Sequence, residues 1–358
     1  MDTLQPQLTI KGRGAAANPV NRFVPLHYTR DIDTSEEEQP APRTRFFHDQ
    51  ARSILARNDS PDLPFTWSLN PYRGCEHGCI YCYARPTHEY YGLSSGFDFE
   101  TQIMVKDDAA KLLRTALMKP SWQGEPIMLS GNTDCYQPIE RKLQLTRQCL
   151  EVMVEFRQPV SLITKNHLIA RDRDLLSELA RHRAAEAFLS ITSLDESLAA
   201  ALEPRATRPA GRLTAVRELA EAGIPVGVMV APIIPGLNDH EVPEILAAAR
   251  EAGATFANYV VLRLPYAIKE LFSDWLEQHF PQRKEKVLNR VRDLRDGKLN
   301  DAQFGSRMRG EGIWADLFKQ QFRLHHQRLG YERAPKLSSE AFRRPGLRQG
   351  LLFDNEPA

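Results

Sequence analysis

From residue 65 to about 265 the chain repeats one pattern: a short apolar run rich in β-formers, then a longer stretch with apolar residues three and four apart. The short runs are FTWSLN (65–70), PIMLSG (126–131), PVSLITK (159–165), AFLSIT (187–192), PVGVMVAP (225–232) and NYVVLRL (258–264), which predict six strands. Between them, KDDAAKLLRTALMK, ERKLQLTRQCLEVMVEF, LIARDRDLLSELARH, RPAGRLTAVRELAEA and DHEVPEILAAAREA each carry one apolar face and predict helices. Two of these helices run into a glycine before the next strand, in EAGIPVGV and EAGATFANYV, which suits a left-handed cap. Repeated β–α units with crossovers of this length predict a parallel sheet with right-handed connections. Six units suit an open barrel or a doubly wound sheet, and periodicity does not separate the two.

Outside this core the pattern changes. Residues 1–60 hold GRGAAANP, the acidic run DIDTSEEEQPAP and few periodic apolar positions. They are expected to be an extension, partly disordered and partly draped over the core at 61–265. After 265 the strand signal stops, and AIKELFSDWLEQHF, RKEKVLNRVRDLRDG and GIWADLFKQQFRLHHQRLG predict a helical region at 266–345, followed by a loose tail at 346–358. The net charge of +1 hides an asymmetry, because residues 281–350 alone carry 17 Lys and Arg against 8 Asp and Glu. Arg283, Lys284, Arg307, Arg309, Arg323 and Arg328, interleaved with Phe304, Trp314 and Phe322, make nucleic acid a candidate partner for this region.

No apolar run approaches the roughly 20 residues of a membrane-spanning helix, and MDTLQPQLTIKGRG has no stretch resembling a secretory signal. A cytoplasmic location follows as an expectation, with no membrane partner. In a reducing compartment a cysteine group reads as metal-binding or catalytic.

Three of the five cysteines fall within YRGCEHGCIYCYARP, at Cys75, Cys79 and Cys82, in a C-x3-C-x2-C spacing. Thiolates suit zinc or iron–sulfur centres. A structural zinc normally takes four ligands, and His77 or His88 would have to complete the set. That alternative is a non-catalytic zinc-binding adaptor with a basic, nucleic-acid-binding C-terminal region. A cubane cluster ordinarily takes four cysteines, so three leave one iron open to a substrate or cofactor. The loop follows the first predicted strand, where β/α barrels build their reaction sites, and Gly74 and Gly78 free the backbone to wrap a bulky group. A dinucleotide or nucleotide enzyme of the ordinary kind is disfavoured, since neither G-x-G-x-x-G nor G-x4-G-K-[ST] occurs.

CEHGCIYC resembles the cysteine signature of the radical S-adenosylmethionine superfamily, with Tyr81 at its aromatic position. NPYRGCEHGCIYCYARPTHEYYG, GNTDCYQPIERKLQLTR and APIIPGLND resemble its spore photoproduct lyase-like branch. The resemblance implies an open, partial TIM-type (βα)6 barrel with an N-terminal extension and a helical C-terminal region. It implies a [4Fe–4S] cluster on Cys75, Cys79 and Cys82, with S-adenosylmethionine on the open iron. It further implies reductive cleavage to a 5′-deoxyadenosyl radical that abstracts hydrogen from a substrate, driven by a one-electron donor such as flavodoxin or ferredoxin.

Each strand end supplies a candidate for the cofactor. Asn132 and Asp134, in LSGNTD, offer oxygens to the methionyl amine, and the bland reading is an Asx turn. Lys165 would pair with the carboxylate. Ser190 and Thr192, on the face opposite Ile191, would bond ribose hydroxyls. Arg205 would reach a carboxylate from the loop beyond, and the proline-rich VMVAPIIPGLND would lie against adenine. Cys135 is a candidate hydrogen-atom donor by analogy with photoproduct lyase, against the reading of a small buried residue, and Cys149 is expected in the core.

Overall fold

All six predicted strands form, and they lie side by side in one sheet. The computed structural model describes residues 11–24 and 43–346; the acidic run and residues 347–358 of the expected tail lie outside the described residues. The strands are β1 (Arg45–His48), β2 (Leu55–Arg57), β3 (Trp67–Leu69), β4 (Tyr72–Arg73), β5 (Gln102–Val105), β6 (Ile127–Leu129), β7 (Val160–Thr164), β8 (Ala185–Ile191), β9 (Val226–Ile233) and β10 (Phe256–Val261). The main sheet has the order β10-β9-β8-β7-β6-β3-β2. β3, β6, β7, β8, β9 and β10 pair in parallel, and β2 adds an antiparallel edge on β3. The strand order runs straight through the six β–α units without closing on itself, which is the open (βα)6 arrangement.

The apolar strands explain this layering. β7 and β9 are buried at nearly every position, as strands covered on both faces must be. Leu162, Leu189, Val228 and Val230 join the main core with helix residues Leu150, Leu176, Val216 and Ile245. At β9, Gly227 is packed so closely that an added Cβ would lie 2.2 Å from the Phe256 ring, so only glycine admits β10 at this register.

β1, β5 and β4 form a second, three-stranded sheet, in which β1 runs parallel and β4 antiparallel to β5. β4 leads directly into the cysteine loop. The helices Ile268–His279 and Pro281–Asp293 bury Phe272, Trp275, Leu276, Val287 and Val291 in one apolar cluster with Cys79, Ile80 and Tyr81. The last helix, Gly312–Arg328, instead lays Ala315, Phe318 and Phe322 on the main core. Residues 331–343 then return beneath the sheet, where Ser338 N donates to Arg183 O at 2.9 Å and Arg343 N to Phe156 O at 2.9 Å. No helix among the described residues is long and apolar enough to cross a membrane.

Candidate functional site: the cysteine loop and the strand ends

Residues 74–82 turn sharply at two left-handed glycines, Gly74 (φ 78°) and Gly78 (φ 68°). Cys75 N donates to Phe99 O at 3.0 Å and Cys82 N to Cys79 O at 3.2 Å, which coils the loop around its three thiols. None of the three is in a disulfide, Cys75 and Cys79 are buried, and Cys82 is partly open. Burial, followed for Cys75 by the Asp134 carboxylate, pushes the Cys75 and Cys79 thiols well above the ordinary range; burial also raises Cys82. The unligated loop therefore holds protonated thiols, and a metal centre would displace their protons.

A buried ion pair braces the loop from behind. Arg85, with no exposed side-chain surface, donates to the carbonyls of Cys79 at 3.0 Å, Gly78 at 3.2 Å and Gly96 at 2.8 Å, and pairs with Glu100 at 2.5 Å. The Glu100 carboxylate also accepts the backbone N–H of Gly14 at 3.0 Å and of Ala15 at 2.8 Å. Residues 11–24 are thereby strapped across the loop. A Cβ on Gly14 would stand 1.8 Å from Gly78 O, so the contact exists only because residue 14 is glycine. Composition led us to expect part of the extension to drape over the core, but it did not show which contacts hold it there.

His77 has both ring nitrogens engaged, and His88 has one. His77 Nδ1 lies 3.3 Å from Asp134 and its Nε2 3.2 Å from Asn166, while His88 Nε2 bonds Gln102 O at 2.8 Å. Among the described residues, no three His, Cys, Asp or Glu side chains are grouped to hold a single metal ion.

At the strand ends the structure draws most of the candidate cofactor residues together. The Asp134 carboxylate accepts Lys165 N at 2.9 Å and Thr164 Oγ1 at 2.7 Å. Burial alone would raise its pKa, but His77 and these donors hold it at about 2. Lys165 Nζ donates to Ser190 Oγ at 2.9 Å and stands 5.9 Å from the Tyr81 ring centre. The backbone at β7's end thus holds the Asp134 carboxylate, while the Lys165 ammonium reaches across to β8's end. Ser190 and Thr192 share a face: Ser190 donates to Ala231 O at 3.3 Å, and Thr192 Oγ1 lies 2.8 Å from the same carbonyl. Asn238 bonds Thr192 O at 2.6 Å and Pro232 O at 3.0 Å, tying β8's end to the proline-rich loop.

Beneath them lies a buried network that sequence reasoning missed. Glu203 pairs with Arg212 and accepts the Tyr81 hydroxyl, while Thr192 donates to it at 2.5 Å. Burial would raise the Glu203 carboxyl, but Arg212 and Lys165 hold it at about 2. Glu203 lies just past the helix Glu196–Leu202 and Arg212 within the helix Pro209–Glu221, and both read as ordinary surface charge, so only their tertiary position exposes the role.

Three candidates lie elsewhere. Arg205 pairs with Glu76 at 3.0 Å, so its guanidinium grips the loop between the first two cysteines. Asn132 accepts no strand-end partner and is placed by its backbone N–H to Asn70 Oδ1 at 2.9 Å. Cys135 is wholly buried in the main core, its N–H on Ser130 Oγ at 2.8 Å, and Cys149 is buried with it. In the C-terminal region, Phe322 is in the core, Arg307 pairs with Asp62, and Arg309 covers the Tyr259 ring at 3.6 Å. These three are spent on holding the region to the barrel.

Comparison with known proteins bears on the family and the fold. The radical SAM superfamily model matches residues 69–249, half of the chain. An uncharacterised protein of Mycobacterium tuberculosis is 36% identical over 234 residues, 65% of this chain and 68% of its own. An uncharacterised protein of Methanocaldococcus jannaschii is 30% identical over 223 residues, 62% of this chain and 80% of its own. In fold the chain is similar to spore photoproduct lyase, with a TM-score of 0.57, 18% identity and 80% of each chain covered. Another structure of that enzyme, with bound AdoMet and dinucleoside spore photoproduct, gives a TM-score of 0.57 at 17% identity, again over 80% of each chain.

Proposed function

Since the chain belongs to the radical SAM superfamily and is a radical SAM enzyme, we propose that Cys75, Cys79 and Cys82 hold a [4Fe–4S] cluster and that the strand ends hold S-adenosylmethionine against it. The observation that carries this reading is a three-thiol loop next to strand ends where the Lys165 backbone holds the Asp134 carboxylate and the Lys165 ammonium meets Ser190. When bound, the cluster and S-adenosylmethionine supply one-electron reductive cleavage and a 5′-deoxyadenosyl radical that takes hydrogen from a substrate.

The donor set fits. Soft thiolates suit iron, a cubane takes one thiolate per iron, and no fourth cysteine belongs to the loop. A single zinc would instead need all its ligands converging, and both nitrogens of His77 are already in use. Asp134, an anion throughout the neutral range, suits an ammonium, and Lys165 suits a carboxylate, so the two together match the ends of an amino acid. Ser190 and Thr192 offer hydroxyls to a ribose, and Tyr81 is fixed by Glu203 so that its ring stays beside Lys165. Arg205 acts on the loop through Glu76. The electron would come from a protein such as flavodoxin or ferredoxin, in the cytoplasm.

The test is anaerobic reconstitution with iron and sulfide, then reduction in the presence of S-adenosylmethionine. About four irons and four sulfides per chain, with release of 5′-deoxyadenosine, are expected. Tight zinc without sulfide, and no deoxyadenosine, would replace this reading with the metal-binding adaptor.

A further inference from the structure

An open cleft of about 500 Å³ lies on the cysteine loop, lined by none of Tyr81, Lys165 or Ser190. Among the described residues its lining carries Lys11, Arg13, Arg43, Lys142 and Arg205, against one carboxylate, Glu76. These cations come from four separate segments of a chain whose net charge is only +1. Phe46, Pro138 and Ile139 add apolar surface to the same lining. Phe46 stands on the edge strand β1, whose four residues are all exposed, and its ring is 43% open to solvent beside Phe47 at 42%.

We infer that this cleft is the docking surface for an acidic one-electron carrier protein. The inference rests on the proposed cluster chemistry, which needs an electron from outside. Glu76 directly follows Cys75, so a carrier seated here reaches the cluster ligand through one residue of backbone. The strand ends stay clear for substrate. Apolar side chains set among charged ones are the anatomy of a protein interface. Exposed phenylalanines on an unpaired strand edge also need a partner's surface to cover them. In the step itself a flavodoxin hydroquinone loses one electron to become the semiquinone, and the cluster gains that electron.

The experiment compares the unaltered protein with R43E/K142E, two exposed cations of the lining outside the catalytic set, and with K319E on the distant helix Gly312–Arg328. The first readout is binding of oxidised flavodoxin to cluster-free protein by calorimetry at low salt. R43E/K142E should weaken it by about tenfold or more, with the gap closing at high salt, while K319E leaves it unchanged. The second is reduction of the reconstituted protein. Flavodoxin-driven reduction should slow by a similar factor in R43E/K142E while dithionite-driven reduction stays as before, which also shows that the variant folds and loads. Unchanged flavodoxin binding in R43E/K142E, or an equal loss in K319E, would overturn the inference. Failure of dithionite to reduce the unaltered protein would overturn the cluster reading first, and the docking surface with it.

Discussion

Arg85 and Glu100 form an ion pair with no exposed side-chain surface behind the cysteine loop, whereas the helix Gly312–Arg328 is held by Ala315, Phe318 and Phe322 on an apolar face. Both regions are fixed against the same barrel, by opposite physics. Apolar packing is non-directional and tolerates small shifts. A buried ion pair with every donor satisfied is costly to assemble and tolerates almost none, because removing one partner strands a charge. A loop that must present three thiols in one geometry gains from that intolerance. A helix that only covers a sheet does not.

Perturbing the two regions separately should sharpen this contrast. Arg85→Met leaves Glu100 buried and unpaired and frees the Gly78 and Cys79 carbonyls. The expected loss is about 3–5 kcal/mol in chemical unfolding, with iron per chain falling even where the variant remains folded. Phe322→Ala, which truncates a ring 9% exposed beside Tyr259, should cost about 3 kcal/mol yet leave iron per chain unchanged. Equal iron loss in both would erase the distinction.

Acid should act on the loop side as well. Burial pulls His88 from its usual range to about 4, because its ring packs against Phe99 and its Nδ1 has no partner. The unfolded chain therefore binds this proton more readily, so the penalty is absent above pH 6.5 and complete near pH 4. A stability loss on the order of 3 kcal/mol is expected across that window, and His88→Gln should flatten it in urea melts of the cluster-free protein. The smallest effect is expected from Gly14→Ala, where one methyl meets Gly78 O. Forcing the strap outward should cost about 1–3 kcal/mol and speed iron release to a chelator.

The parts legible in the sequence were those written in periodicity or in a motif. The apolar runs at 126–131 and 159–165 became β6 and β7 because strands covered on both faces must be continuously apolar. Cys75, Cys79 and Cys82 stood out because thiols are rare and their spacing is specific. That part of the extension drapes over the core was expected, but the contacts of the strap at 11–24 were not legible, because they are backbone N–H groups and a missing Cβ, which leave no hydrophobic pattern. β5, in QIMV, was lost for a different reason: four residues are too few to show a period. Glu203 and Arg212 were invisible because a buried salt bridge and a solvated helix face use the same letters.

The central claim is that the loop's three thiols leave one iron for S-adenosylmethionine. Its most direct test is electron paramagnetic resonance of the anaerobically reconstituted, dithionite-reduced protein, with and without S-adenosylmethionine, beside Cys79→Ala. A [4Fe–4S]+ signal that changes when S-adenosylmethionine is added, and is missing from Cys79→Ala, is the expected result. A signal indifferent to S-adenosylmethionine, or one that survives in Cys79→Ala, would contradict the account.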